Sequence, residues 1–248
     1  AADGIHSLVR DQAGIEADHI GYEQVAITAV MTTQRFHDYV AYERFTEEGP
    51  IAILPLTDGR CGMVWTRKPA EVERMLALSD DEFLREFQAA FGFRLGRFLR
   101  IGQRASYNLM LSRADRHIAQ RLAVVGNAAQ GLHPIAGQGF NLGLRDAMSL
   151  AEVIADRRVT GTMDPGDADL LQDYADWRET DRRRIVAFTD GLVRLFATPL
   201  GVLRSLRSLG ILAFDVLPPA KSALARLSVG AAERVPRLAR GVPLAGIR

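Results

Sequence analysis

Two periods of hydrophobic positions organise this chain. Residues 24–34 (QVAITAVMTTQ), 51–57 (IAILPLT), 61–66 (CGMVWT) and 97–111 alternate, or are rich in β-branched and aromatic residues, which is the pattern of strands. Asp58-Gly59 between the second and third is a hairpin signal, so these segments predict an antiparallel sheet. Between residues 69 and 92 the period becomes helical. Pro69 suits a first helical turn, and Ser79-Asp80-Asp81-Glu82 ahead of Phe83, Leu84, Phe87 and Phe91 has the form of a capping box, predicting two short helices. Residues 120–125 (QRLAVV) read as a short buried strand ending on Gly126-Asn127. Beyond it Phe140, Leu144, Ala147, Ala151 and Ile154 recur at steps of four and three, which puts an apolar face on a helix over 139–158. A turn-rich linker at 160–166 precedes a long helix from about 168 to 197, stopping before Pro199, in which Leu170, Tyr174, Trp177, Ile185, Phe188, Leu192 and Leu195 keep the 3.6 period. Its charged residues, Asp173, Asp176, Glu179 and Asp181 with Arg178 and Arg182 to Arg184, are expected to face water in i,i+4 pairs, and no histidine joins them to make a metal site.

Between the predicted strand and helix lies GNAAQGLHPIAGQGFNLG, with Gly131, Pro134, Gly137 and Gly139. Glycine lets the main chain approach a ligand closely, and the free N–H groups of the following helix favour negative charge, so this is a candidate site for an anion or a ring edge. His133 is a candidate acid or base because an unperturbed imidazole titrates near 6.5, and equally a loop histidine oriented by Pro134.

With 248 residues and 48% hydrophobic content the chain can bury a sizeable core. A net charge of +1 gives no case for nucleic-acid binding, and a single cysteine, Cys61, excludes an internal disulfide or a cysteine metal cluster. A reducing, cytoplasmic setting fits. Charge is uneven: residues 190–248 hold nine Lys/Arg against three acids, which suits peripheral attachment to an anionic inner-membrane surface, docking to an acidic partner, or packing on the parent domain.

The segment from Gly126 resembles the second flavin-contacting motif of the FAD-dependent aromatic hydroxylases, and Ala2-Asp3-Gly4-Ile5-His6-Ser7-Leu8-Val9-Arg10 resembles that family's ADGxxSxVR fingerprint. Within the family, Glu43-Arg44-Phe45-Thr46, then Gly49-Pro50-Ile51-Ala52-Ile53-Leu54-Pro55, Asp58-Gly59-Arg60-Cys61, and Gly126-Asn127-Ala128-Ala129-Gln130 resemble the ubiquinone-biosynthesis branch, in particular the hydroxylases of 2-octaprenyl-6-methoxyphenol. The resemblance implies an α/β enzyme whose part here is α+β. Residues 1–22 and 113–160 would belong to a Rossmann-like FAD-binding domain, 23–112 to a substrate domain with an antiparallel sheet, and 161–248 would be C-terminal helices. It also implies that Asp3, Gly4, Arg10, Gly126, Asn127, Pro134, Gly137, Gln138, Gly139, Phe140 and Asn141 contact FAD. Phe45, Pro55 and Trp65 are candidates to line an aromatic substrate pocket, and as apolar residues on a sheet face they are alternatively core. The implied reaction is hydroxylation of a polyprenylated phenol with O2, NAD(P)H as reductant, the flavin carrying the chemistry and no side chain acting as nucleophile. A sister hydroxylase of other regiochemistry, a prenyl-lipid flavin reductase, and a non-catalytic module docking a biosynthetic complex to the membrane stay open as alternatives. No strand is followed by GxGxxG, the fingerprint for the ADP half of FAD, so the chain reads as the C-terminal part of a longer enzyme.

Overall fold

In the computed structural model, residues 1–46, 48–161, 164–197, 216–228 and 234–244 are described. In chain order the main elements are α1 (Leu8–Gln12), β1 (Ala17–Thr33), β2 (Tyr42–Thr46), β3 (Gly49–Pro55), β4 (Arg60–Arg67), α2 (Pro69–Ala77), α3 (Asp80–Phe91), β5 (Phe98–Ile101), β6 (Ala105–Ala114), β7 (Ile118–Ala119), β8 (Leu122–Ala123), β9 (Gln130–Gly131), α4 (Gln138–Val159), α5 (Ala168–Ala197) and α6 (Pro218–Ser228). They form two compact units. One comprises Ala1–Ile20, Leu111–Leu192 and Leu200–Arg248, the other Gly21–Met110 and Val193–Pro199.

In the second unit the strand order is β2-β3-β4-β1, with β5 pairing the end of β1, all antiparallel. The β3–β4 reversal falls where Asp58-Gly59 predicts it: both residues are left-handed, at φ 59° and 67°, a conformation glycine adopts freely and aspartate tolerates. Register aligns Ile27, Trp65 and Ile51 across three strands, and Ala29, Met63 and Ile53 beside them. These side chains pack with Met75, Phe83, Phe87 and Phe91 of α2 and α3 into the core. The other face, with Thr28, Val30, Ala52, Leu54 and Val64, remains partly exposed. Helix α3 starts with the predicted box, Ser79 Oγ accepting from the Glu82 N–H and the Glu82 carboxylate from the Ser79 N–H. The run expected as one strand over 97–111 is two, β5 and β6, separated where Gly102 donates to the Val30 carbonyl.

In the first unit the run 120–125 departs from its expected form. Only Leu122–Ala123 is strand, in a two-stranded antiparallel hairpin with β7. The backbone beyond it is nevertheless partnered: Val124 N–H donates to the His117 carbonyl, Val125 N–H to the Ala1 carbonyl, and the Ala1 ammonium to the Ala123 carbonyl. Ile15, Ala114, Val124, Ala128 and Ala129 form one apolar cluster, and Val153, Leu170, Leu171 and Tyr174 another. The observed class is therefore mixed helix and antiparallel sheet, since the strand pairings within each unit are antiparallel.

Two helices depart from expectation. On α4, Phe140 (79% exposed) and Leu144 (47%) of the apolar stripe face outward, while Leu142, Arg145, Asp146, Ser149, Glu152 and Val153 are buried. On α5, Arg178, Asp181 and Arg182 are buried; only Asp173, Asp176, Arg183 and Arg184 of the group stay exposed. The predicted apolar face of α5 is buried all the same at Leu170, Tyr174 and Ile185; on α4 the polar side is the inner one, and the two helices bury charges that pair with each other.

Of the basic end, Arg204, Arg207 and Arg248 lie outside the described residues. Arg234 and Arg237 pair with Glu152 of α4, Arg237 also with Asp156, and the Arg234 guanidinium lies 3.8 Å from the centre of the Trp177 ring. These two cations serve packing within the unit.

Candidate cofactor site

The site grows from α1 outward. Ser7 caps this helix, its hydroxyl accepting from the Arg10 N–H at 3.0 Å and donating to Asp3 Oδ1 at 2.5 Å, while Asp3 Oδ2 accepts from the Val9 N–H at 3.2 Å. The Ser7 hydroxyl, then the Val9 N–H, hold the Asp3 carboxyl below the usual carboxylate range. Gly4 is at φ 93°, a turn conformation that a side chain would strain. Arg10, expected at the cofactor, is buried and turns its guanidinium onto the chain itself: Asp11 Oδ1, the Ile5 carbonyl, and the Ala128 carbonyl at 3.1 Å. That last bond joins the two sequence motifs, which lie 118 residues apart. Ile5 reinforces the junction from the other side, since a Cβ on Gly131 would stand 2.6 Å from its Cδ1.

Gly126 and Asn127 begin a single 3₁₀ turn, Gly126–Ala128, with Gly126 at φ 61° and Asn127 exposed. Gly126 also lies against Gly143 of α4, where an added Cβ would come within 3.0 Å of the Gly126 Cα. His133 is buried, and its Nδ1 accepts from the Ile135 N–H at 3.1 Å. Burial depresses its pKa to about 4. A neutral imidazole locked as an acceptor orients the loop, which favours the loop reading over the acid–base one.

Next, Pro134 is exposed and Gly137 takes the left-handed conformation (φ 60°) at the N-cap of α4, with no side chain capping the helix and no acid in its first turn. Cβ atoms built on Gly137 and Gly139 meet nothing within 4 Å. Gln138 is buried, whereas Phe140 and Asn141 are exposed. A 22-residue helix thus presents its N-terminus to open space across a surface of glycine backbone. That arrangement fits an anionic or hydrogen-bond-accepting ring edge, as the glycine pattern predicts.

Phe45, Pro55 and Trp65 are not brought together. Trp65 is buried in the core of the second unit, edge-on to Phe83 and Phe87 at centroid distances of 5.6 and 5.2 Å. Phe45 pairs with Pro50, on the opposite face of the sheet from Trp65, and Pro55 pairs with Cys61 near the end of β3.

Hydrophobic patterning does not reveal the ionic cluster beneath the turn. Asp146 Oδ2 accepts from the Gly126 N–H (3.2 Å) and Gln130 Nε2 (2.9 Å); its Oδ1 accepts from Arg178 Nε (2.8 Å) and stands 3.4 Å from Arg182 Nη2. Asp181 in turn pairs with Arg178 and Arg145, and Arg182 donates to the Tyr174 hydroxyl. The signal that could have found it is Leu142, Asp146, Ser149 and Val153, which recur at helical spacing opposite the apolar stripe.

Known proteins show which family the chain resembles. The model of a family described as FAD binding domain matches residues 1–189. A ubiquinone hydroxylase, UbiL, of Rhodospirillum rubrum is 42% identical over 246 residues, covering 98% of this chain and 57% of that protein. The mitochondrial ubiquinone biosynthesis monooxygenase COQ6 of Caenorhabditis elegans is 30% identical, covering 90% of this chain and again 57% of the relative. Among solved structures, a p-nitrophenol 4-monooxygenase, PnpA, of Pseudomonas putida superposes with a TM-score of 0.70 at 19% identity over 95% of this chain and 59% of that one. The Diels-Alderase PyrE3 of pyrroindomycin biosynthesis does so equally well, at 0.70 and 22% over 94% of this chain and 50% of that one.

Proposed function

We propose, because this chain belongs to the FAD-binding domain family, that it is the flavin-edge and substrate portion of a flavin-dependent monooxygenase that hydroxylates the ring of a polyprenylated phenol in ubiquinone biosynthesis. The observation that carries the reading is the open glycine turn at the N-terminus of α4, tied to the Asp3 motif through Arg10. The chain spans 57% of the two ubiquinone-pathway relatives, so the activity of the whole protein is inferred from them. Fold alone would not decide it, since a Diels-Alderase shares the architecture.

In this reading Asp3, Gly4, Gly126 and Asn127 meet the ribityl side of FAD, with Arg10 holding the two motifs together. Residues 134–141 lie along the ring edge. FAD, when bound, supplies electron transfer from NAD(P)H and activation of O2 for delivery of one oxygen atom to the phenol. The chain's own part is placement and electrostatics: the first-turn N–H groups of α4 stabilise negative charge at the ring edge, and no acid or base is drawn from His133. The partly exposed sheet face with Val30, Phe45, Leu54 and Val64 offers an apolar surface for the ring or its prenyl tail, in place of Trp65. No described helix is long and apolar enough to cross a membrane.

The test is turnover by the full-length protein. Purified enzyme should carry flavin absorbance and, with NAD(P)H, O2 and a polyprenylated phenol, give product with one added oxygen atom. NAD(P)H oxidation without oxygen incorporation would point to a reductase; a colourless protein, to a docking module. The 248 residues alone are expected to bind FAD more weakly than micromolar, because they hold no GxGxxG for the pyrophosphate. A flavin-fluorescence titration showing micromolar affinity would remove that fingerprint from the requirement.

Asn127 gives a sharper local test. Either asparagine or aspartate offers an oxygen to a ribityl hydroxyl, so Asn127→Asp should change FAD affinity little. Asn127→Leu leaves that hydroxyl unpartnered and should cost about 1–3 kcal/mol, roughly ten- to a hundredfold in Kd. Equal affinity for Asn127→Leu and wild type would take residue 127 off the ribityl chain.

A further inference from the structure

We propose that Asp146 is a positioning residue for the flavin site: its buried carboxylate ties the Gly126–Gln130 turn to α5 and so sets the orientation in which Asn127 is presented. This rests on the flavin reading of that turn.

Asp146 is fully buried and aims its two oxygens in opposite directions. Oδ2 takes both donors of the turn, the Gly126 N–H and the Gln130 amide, whereas Oδ1 faces the guanidinium groups of Arg178 and Arg182 from α5. A carboxylate only accepts, and here donors meet it on both edges. Gly126 has little freedom elsewhere: its φ of 61° is a conformation a side chain would strain, and Gly143 of α4 lies so close that a Cβ on Gly143 would come within 3.0 Å of the Gly126 Cα. Asn127 follows directly, exposed, in the same 3₁₀ turn. The orientation of the exposed amide is thus set by a residue that never reaches the surface. Two further ions anchor the carboxylate's partners, since Asp181 bridges Arg178 to Arg145, the residue preceding Asp146 on α4.

Asparagine at 146 cannot reproduce this arrangement. Whichever way its amide is turned, the NH2 group faces either the donors of the turn or those of α5. In the full-length protein Asp146→Asn should therefore raise the Kd for FAD by about ten- to a hundredfold. A general loss of packing would do the same, so two readouts separate them. First, in the flavin-free protein, amide exchange over residues 126–131 should accelerate about tenfold or more while the sheet core at 27–31 is unchanged. Second, in a double-mutant cycle with Asn127→Leu the effects should be strongly non-additive, because a turn that no longer offers Asn127 has little left to lose; Asp146→Asn should then cost under about threefold. If Asp146→Asn does not fold, Arg178→Lys, which keeps the charge and shortens the donor, enters the same cycle with a smaller effect in the same direction. An additive cycle, or unchanged exchange at 126–131, overturns the proposal. Should the wild-type protein bind no FAD, the flavin reading fails, and exchange alone decides whether Asp146 orders the turn.

Discussion

Trp65→Ala is expected to destabilise the unit built on residues 21–110 by about 3–5 kcal/mol, with the KM for the proposed phenol substrate unchanged in whatever full-length protein still folds. The side chain is 2% exposed, lies between Ile27 and Ile51 in register, and meets Phe83 and Phe87 edge-on, with the Arg67 guanidinium 5.0 Å from the ring centre. Truncation removes the largest side chain on this face of β4 and leaves a cavity bounded by strands on one side and α3 on the other, which cannot both collapse inward without breaking register. Trp65→Phe should recover much of the loss. Urea unfolding followed by circular dichroism measures it, since a second tryptophan, Trp177, complicates fluorescence. A variant of unchanged stability and raised KM would instead make Trp65 a pocket residue.

That case shows where sequence pattern has its limit. Alternation along β3 and β4 correctly predicts strands, and Asp58-Gly59 correctly predicts their reversal, because both depend on neighbours within a few residues. Which face of the sheet the helices cover depends on residues far along the chain, so a tryptophan on the covered face and a phenylalanine on the open one look alike in sequence. The same holds for α4 and α5. Their period is legible, and on α5 so is the burial of Leu170, Tyr174 and Ile185; the burial of Arg145, Asp146, Arg178, Asp181 and Arg182 is not, because these satisfy each other only across two helices. A charged residue is ordinarily a safe marker of the surface; it misleads where its partner is equally buried. The capping box of α3 and the glycine turn ahead of α4, in contrast, are local chemistry and appear in the sequence as they stand in the fold.

Acid should destabilise the first unit earlier than carboxylate titration alone would predict. Burial depresses His133 to about 4, and burial together with the positive charges of Arg182 and Arg178 depresses His117 to about 3. In the unfolded chain both return to about 6.5. Between the folded and unfolded values the unfolded state binds protons that the folded state refuses, so stability rises with pH across that window. The contribution is fully present above about pH 6.5, falls as the pH drops below that, and for His133 is gone by about 4. For that residue it amounts to about 3 kcal/mol, at about 1.4 kcal/mol for every pH unit that separates the folded pKa from the unfolded one. Denaturant unfolding at about pH 7.5, 5.5 and 4.5 should show the decline. His133→Asn, whose side-chain oxygen can still accept from the Ile135 N–H, should be flatter over the same range, and the His133 imidazole of the folded protein should titrate near 4 by NMR. An unchanged slope in His133→Asn, or an imidazole that protonates near 6.5 with the fold intact, would mean that this ring is not held as a neutral acceptor, and would return it to consideration as an acid–base group at the glycine turn.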